Sequence, residues 1–143
     1  MEQGVNLMII ADTNVIIDIE RGNNTLKTLF EKYHDERFCI SAISILELYV
    51  GLGYSKNKKG KQFYEKQKKI VDNITNDFEV IPISLQILKD AGLKKGELMA
   101  SGISLDFDDI LIGITGETLG VTYIFTKNKK HFESFSLSIE DYS

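Results

Sequence analysis

Short apolar segments of strand length recur along this chain and alternate with helical patterns. The first, residues 7–11 (LMIIA), is continuously apolar, is too short for a helix, and stops at the acidic residue Asp12. Continuous apolar runs of this length are typical of strands buried on both faces of a parallel sheet. Because parallel strands are joined by crossovers that are usually helices, the alternation predicts an α/β fold.

The remaining segments complete this pattern. Predicted strands are 37–41 (RFCIS), 78–83 (FEVIPI), 121–126 (VTYIFT) and, at an edge, 137–140 (LSIE). Predicted helices are 25–34, the short segment 43–53 (ISILELYVGLG), 58–73, one that Ser84 caps, and one from Phe107 that Gly120 ends. The order predicts one three-layer α/β/α domain over residues 1–143, with a mainly parallel sheet of four or five strands.

Composition restricts the setting. Hydrophobic residues make up 43% and charged residues 27% of the 143, which is ordinary for a soluble globular domain. No apolar run approaches the roughly 20 residues of a bilayer span. The N-terminal residues lack the basic flank and the following long apolar stretch of a secretory signal, so we expect none. Cys39 is the only cysteine and lies within a predicted strand, so we expect a core residue. We expect a cytoplasmic protein without membrane association.

Charge is unevenly distributed. The net charge is −4, yet seven of the 17 basic residues lie between positions 56 and 69 (KNKKGKQFYEKQKK). A lysine stripe of this kind is either a solvated helix face or a surface that steers phosphates. The sequence leaves both interpretations open.

Four polar positions are candidates for chemistry: Asp12, Glu47, Asp109 and Asn128. Asp12 and Asn128 both lie just past the ends of predicted strands, and ligands of parallel sheets gather beyond the carboxyl ends of strands. Glu47 interrupts an otherwise apolar helix, and Asp109 lies in the first turn of another. Each also has a purely structural interpretation: a helix cap for Asp12, a solvent-facing side chain for Glu47, the helix dipole for Asp109, and a turn for Asn128.

The carboxylates make a stronger case together. Asp106 and Asp109 are three residues apart and share a helix face that Gly113 continues, although Asp106 is also a natural N-cap; Asp108 is expected to point elsewhere. Clustered carboxylates repel one another and lose hydration, and a divalent cation removes that cost. Oxygen ligands select hard ions such as Mg²⁺ or Mn²⁺, and no cysteine pair or closely spaced histidine pair offers a zinc site.

Four segments together resemble the successive signatures of PIN-domain ribonucleases, particularly VapC-type toxins: IIADTNVII, ISAISILELYVG, GISLDFDDILIGITGETLG and YIFTKNKKHFE. The resemblance implies a PIN-like α/β/α fold and covers nearly the whole chain, except for residues 56–76. It implies catalytic roles for Asp12, Glu47, Asp109 and Asn128, and metal binding by the first three. Asn128 stands where many members carry a fourth acid. The implied supporting residues are Asn14, Thr126 and Asp106, and the implied RNA-binding residues are Lys127, Lys129 and Lys130.

The resemblance also implies an activity and partners. It implies a ribonuclease that uses Mg²⁺ or Mn²⁺ to hydrolyse RNA phosphodiester bonds, acts as a toxin, forms a homodimer and binds a small antitoxin. The apolar residues of ELYVGLGY (47–54) are a candidate docking groove, unless Leu48, Val50 and Leu52 fill the chain's own core. His131 is either a rim residue near phosphate or a packing residue.

Other functions remain open at this point. One is a housekeeping RNA-processing nuclease of the same fold, and another is a non-catalytic RNA-binding or scaffold domain. A third is a phosphatase of the haloacid dehalogenase type, whose first strand also ends in an aspartate. That motif requires a second aspartate two positions on, where this chain has Asn14.

Overall fold

A computed structural model describes residues 7–143 and contains a five-stranded, fully parallel sheet. The spatial order of the strands is β3-β2-β1-β4-β5. Their bounds are Met8–Ala11 (β1), Arg37–Ser41 (β2), Glu79–Ile81 (β3), Tyr123–Thr126 (β4) and Ser138–Asp141 (β5). The α/β prediction and the parallel sheet are confirmed, including the edge position of the last strand.

Six α-helices in the described residues connect these strands. Their bounds are Thr13–Glu20 (α1), Asn24–Lys32 (α2), Ala42–Lys59 (α3), Lys61–Thr75 (α4), Leu85–Ala100 (α5) and Phe107–Leu119 (α6). A single 3₁₀ turn, Lys129–His131, follows β4. No helix among residues 7–143 combines the length and apolar character that crossing a bilayer requires.

The strand β1 lies at the centre of the sheet, where both of its faces are covered. Ile10 aligns with Cys39 on β2 and with Ile124 on β4, and all three side chains are fully buried in the core beneath α5 and α6. The alternate residues Ile9 and Ala11 face the second core, which α1 to α4 cover. Because both faces are buried, this strand shows no polar alternation in the sequence.

One helix was missing from the sequence prediction, and the end of another was predicted wrongly. The helix α1 was not predicted, because its sequence TNVIIDIE is short and begins only one residue after the end of β1. The helix α3 does not end at Gly51 or Gly53 but continues to Lys59. Neither glycine has any atom near the position of a side chain, so both remain on an open helix surface. The chain instead breaks at Gly60, whose φ of 90° favours glycine.

The fold brings three strand ends to the same edge of the sheet. Asp12 follows β1, while Ser41 ends β2 and Thr126 ends β4, and these three strands are neighbours. Two of these residues begin helices, since the Asp12 side chain caps α1 and the Ser41 side chain caps α3. This edge therefore carries buried polar side chains and two helix N-termini.

Candidate active site

Asp12 is held in one orientation by two hydrogen bonds. Its Oδ1 accepts from the Thr13 amide at 2.8 Å, and its Oδ2 accepts from the Thr126 hydroxyl at 2.8 Å. The residue is only 3% exposed. Burial raises the pKa of the Asp12 carboxyl, although both hydrogen bonds oppose the shift by stabilising the ionised form. Asp12 therefore caps a helix and also presents a poorly hydrated carboxylate to the site edge.

Glu47 is joined to the end of β1 through a hydroxyl relay. The Thr13 hydroxyl donates to Glu47 Oε1 at 2.6 Å and lies 2.7 Å from the Ser44 hydroxyl. Because Thr13 gives its only proton to the carboxylate, Ser44 is the donor in the second bond. Glu47 is half-buried and does not extend into water. Burial, followed by a hydrogen bond with Asp108, raises its pKa to about 7.

Three carboxylates meet at the start of α6. One oxygen each from Asp106, Asp108 and Asp109 lies within 4.8 Å of the others. The prediction that Asp108 points elsewhere was wrong, because it assumed helical geometry at all three positions. Asp106 is the N-cap, with extended backbone angles (φ −71°, ψ 153°), and its side chain makes no capping bond. Helical spacing therefore does not predict the relative orientation of the Asp106 and Asp108 side chains.

Asp109 pairs with a histidine from the loop after β4. His131 Nδ1 lies 3.0 Å from Asp109 Oδ2. Burial and then the charge of Asp12 raise the pKa of Asp109 to about 6, while His131 opposes the shift. The histidine is thus at the site, and neither its packing interpretation nor its rim interpretation included this contact with an acid on α6.

The other predicted residues lie around this cluster. The amide of Asn128 donates to the Thr126 hydroxyl at 2.9 Å, but no hydrogen bond among the described residues links its side chain to an acid. Asn128 instead lines a shallow pocket of about 500 Å³ with Lys127, Lys129, Lys130 and His131. Asn14 is half-buried, and among residues 7–143 its side chain makes no hydrogen bond that would support the acids.

Lys127 is committed to a contact that sequence reasoning missed. Its Nζ lies 3.0 Å from Asp18 Oδ2, and the same oxygen accepts from the Tyr142 hydroxyl at 2.6 Å. Asp18 is 7% exposed, and the three residues are distant in the sequence. The pattern gave no signal beyond an acid within the apolar sequence of α1. Lys129 and Lys130 remain exposed at the pocket.

The donor set fits a hard divalent cation. Asp12, Glu47, Asp106, Asp108 and Asp109 supply only oxygen ligands, and the carboxyls of Asp12, Glu47 and Asp109 have raised pKa values because burial and mutual repulsion oppose ionisation. A bound cation would relieve that repulsion, and carboxylate oxygens are the ligands that Mg²⁺ and Mn²⁺ prefer. The closest trio is at the start of α6, with Asp12 and Glu47 coupled to it electrostatically.

Comparison with known families agrees with this fold. The model of the PIN domain matches residues 9–136, so the chain belongs to the PIN domain family. PIN domains are generally nucleases and typically use divalent metals, so membership supports a hydrolase acting on nucleic acids. The comparison with curated protein sequences gives no match.

Several solved structures share the fold over nearly the whole chain. A chain of VapBC2 from Rickettsia felis, bound to a promoter DNA fragment, is 21% identical with a TM-score of 0.81, covering 96% of this chain and 100% of its own. A chain of DNA-bound VapBC from Salmonella typhimurium is 24% identical with a TM-score of 0.79, covering 96% and 99%. A chain of a toxin–antitoxin complex from Klebsiella pneumoniae is 22% identical with a TM-score of 0.71, and the match covers 94% of this chain and 98% of the other. At these identities the likeness shows the fold.

Proposed function

We propose that this protein is a metal-dependent endoribonuclease that hydrolyses RNA phosphodiester bonds and acts as the toxin of a toxin–antitoxin pair. The observation that carries the proposal is the trio of carboxylates at the start of α6, from Asp106, Asp108 and Asp109, together with Asp12 and Glu47, which lie close enough to repel members of this trio electrostatically. Membership in a family whose members are generally nucleases supports the same reaction class.

Some residues of the site would bind the metal ion, and others orient the metal-binding side chains. We propose that Asp12, Glu47 and Asp109 hold Mg²⁺ or Mn²⁺, which when bound would make water more acidic and neutralise charge that develops on the phosphate. Thr126 and the Thr13 amide fix the Asp12 carboxylate, and the Thr13 hydroxyl fixes Glu47. Side chains that are already oriented lose less entropy when they bind a ligand, which favours a tight site.

The substrate must be held against a negative centre. The carboxylates of the site repel a phosphodiester, so cationic groups at the rim are needed to retain it. We propose that Lys129 and Lys130 supply them, because both are exposed beside His131 in the pocket after β4. Such contacts bind phosphates without reading bases, so they are compatible with RNA of many sequences.

A toxin requires an antitoxin, and the structure has a groove of the right kind. An apolar groove of about 260 Å³ between α1, α3 and α4 begins at Glu47 and includes Ile17, Leu48, Leu52 and Ile70. A partner helix in this groove would cover the edge of the acidic site. The structural neighbours include VapBC and toxin–antitoxin complexes, which supports a partner of this kind.

Exposed apolar residues outside the groove support a homodimer. In α3, Leu48 and Leu52 are buried, whereas Val50 is 65% and Leu46 59% exposed. The docking groove expected within ELYVGLGY is therefore divided between core and surface. We propose that a second copy covers part of the exposed apolar surface, which also includes Leu93 on α5.

The direct test is cleavage of structured and unstructured RNA with Mg²⁺, Mn²⁺ or a chelator. The wild type should cut only with metal, and Asp109→Asn should cut at least about a hundredfold more slowly, since metal-centred stabilisation supplies several kcal/mol. Asp90→Asn is the matched control, because this carboxylate lies on α5 and accepts from Gln86. Equal cutting by the wild type and Asp109→Asn would end the catalytic assignment.

The toxin role needs its own readout. Induced expression of the wild type in a bacterial host should arrest growth, whereas Asp109→Asn should not. RNA cleavage in vitro without growth arrest would favour a housekeeping nuclease, which is the alternative of the same fold.

A further inference from the structure

The lysine-rich segment 56–69 comprises the end of α3, the break at Gly60 and the first part of α4, and we call it the basic hairpin. We propose that the basic hairpin is an RNA-docking arm that binds phosphates and bases of the substrate away from the acidic site. This inference rests on the proposed ribonuclease function and names a second substrate contact that the family signatures do not cover.

Charge at the hairpin is nearly uncompensated. The segment contains seven lysines and a single acid, Glu65. Six of these lysines are exposed: Lys56, Lys58, Lys59, Lys61, Lys66 and Lys69. Only Lys68 forms an ion pair within the described part of the chain, with Asp72 at 2.7 Å. A solvated helix face usually alternates its charges, so this composition favours an anionic ligand.

Helix stability does not account for Lys61 at the start of α4. Cations near the end of α3 are favoured by the helix dipole, but Lys61 lies at the N-terminus of α4, where a positive charge is unfavourable. The N-cap of α4 is Gly60, which offers no side chain to satisfy the first amides. Anions bind well at exposed helix N-termini that lack a cap. A phosphate would therefore compensate both the lysine and the free amides.

Aromatic rings lie among these lysines. The Nζ atoms of Lys56 and Lys59 lie 5.0 Å and 4.8 Å from the ring centroids of Tyr64 and Phe63. Tyr54, next to Lys58, is 67% exposed. Cations together with accessible ring faces are the means by which proteins bind single-stranded nucleic acid, since bases stack on the rings. An acidic protein segment would bind the lysines but would not require the exposed ring of Tyr54. The presence of this ring therefore favours RNA as the ligand of the hairpin.

The hairpin is connected to the acidic site. The groove that begins at Glu47 extends along α3 to Lys59 and Phe63. Glu47 and Lys59 are 12 residues apart on one helix, so they are separated by about 18 Å. An RNA strand bound at the hairpin therefore lies within about 18 Å of the acidic site. A partner seated in the groove would lie between the hairpin and Glu47.

The test is binding of a labelled single-stranded RNA, measured by fluorescence anisotropy over a NaCl series in EDTA, so that no cleavage is involved. The variant Lys58→Gln/Lys61→Gln should bind roughly tenfold more weakly at low salt, and its log–log salt slope should be smaller by about 1.4, since each single-strand phosphate contact contributes about 0.7. Lys27→Gln/Lys89→Gln is the matched control, because both lysines are exposed on other helices and should change neither quantity.

The outcomes separate the two proposals. Equal affinity and slope for the hairpin variant and the control would overturn the docking arm, whether or not the wild type cleaves RNA. Lysine-dependent capture of polyglutamate without RNA binding would also overturn it. Weaker RNA binding by the hairpin variant supports the docking arm, even if the wild type proves unable to cleave RNA with metal. Circular dichroism of both variants verifies that the helices are intact.

Discussion

The Thr126 hydroxyl donates to Asp12 Oδ2 at 2.8 Å and so joins the ends of the neighbouring strands β4 and β1. The same hydroxyl oxygen accepts from the Asn128 amide at 2.9 Å. Thr126 is fully buried and Asp12 is nearly so, so water is not available to replace the hydrogen bond between them. One side chain thus fixes both the orientation of the central carboxylate and the start of the loop that carries His131.

Thr126→Val tests this arrangement with almost no change of volume. The variant removes the bond that stabilises ionised Asp12, so the pKa of Asp12 should rise further and metal-dependent cleavage at pH 7 should fall by about tenfold. Unfolding free energy should fall by about 1–3 kcal/mol, because the Asn128 amide also loses its acceptor. The control is Thr118→Val, whose hydroxyl donates to a carbonyl of its own helix. Matching behaviour of the two variants would contradict the role of Thr126.

The raised carboxyl pKa values predict how stability depends on pH without metal. The pKa of Glu47 rises from 4.5 to about 7 and that of Asp109 from 3.8 to about 6. Between about pH 4 and 7, the native state therefore holds protons that the unfolded chain releases, and the free energy of unfolding decreases as pH rises. The stabilising contribution of protonation is complete below about pH 4 and is lost above about pH 7.

Chemical denaturation in EDTA across about pH 4 to 8 measures this dependence. Glu47→Gln removes one of the two groups, so its unfolding free energy should decrease less steeply over the window than that of the wild type. Glu65→Gln alters an exposed acid on α4 and is the control, which should retain the wild-type slope. An identical slope for all three proteins would show that Glu47 is not destabilised when ionised.

Gly113 allows a close contact that a side chain would prevent. A Cβ at this position would lie about 2.5 Å from the Phe135 ring, which is packed in the core. Gly113→Ala should therefore destabilise the protein by about 1–3 kcal/mol in thermal or chemical denaturation. Gly92→Ala has open space and lies within α5, so it should stabilise by about 0.5–1 kcal/mol. Stabilisation by both substitutions would mean that the Phe135 ring moves freely.

Substitution of Lys127 should affect protein stability, whereas substitution of the nearby Lys130 should affect RNA affinity. It pairs with the buried Asp18, so Lys127→Met should lower the free energy of unfolding by about 1–2 kcal/mol, an amount reduced because Lys127 is partly exposed. Lys130→Met alters an exposed lysine of the same loop and should change RNA affinity without changing stability. Equal stability of the two variants would contradict a stabilising Lys127–Asp18 pair and would favour the expected role of Lys127 in binding phosphate.

The sequence predicted the sheet well because its strands are buried on both faces. Apolar runs as short as 7–11 and 121–126 fit a buried strand better than a helix, and the parallel order follows from the helices between them. The helix α1 was missed because Thr13–Glu20 is short and apolar on more than one side. The length of α3 was missed because Gly51 and Gly53 are typical of a helix terminus, whereas their side of the helix is open and tolerates them.

The site was only partly predictable. Asp12, Glu47 and Asp109 were candidates from their positions after a strand and within helices, and the family resemblance implied their roles as metal ligands, which remain proposals. The orientation of Asp108 depended on the extended backbone of Asp106, which helical spacing does not describe. The contacts of His131 with Asp109 and of Tyr142 with Asp18 join residues far apart in sequence, and no local pattern indicates such pairs.

The carboxylates at this edge of the sheet should together bind one hard cation, and electron paramagnetic resonance measures Mn²⁺ binding to the metal-free protein without relying on cleavage. We expect saturable binding by the wild type and at least about tenfold weaker binding by Asp12→Asn, Glu47→Gln and Asp109→Asn, since each replaces an anionic carboxylate with a neutral amide, which is a weaker ligand for a hard cation. Asp90→Asn should bind as the wild type does. Wild-type affinity in all three site variants would show that these carboxylates do not bind the cation.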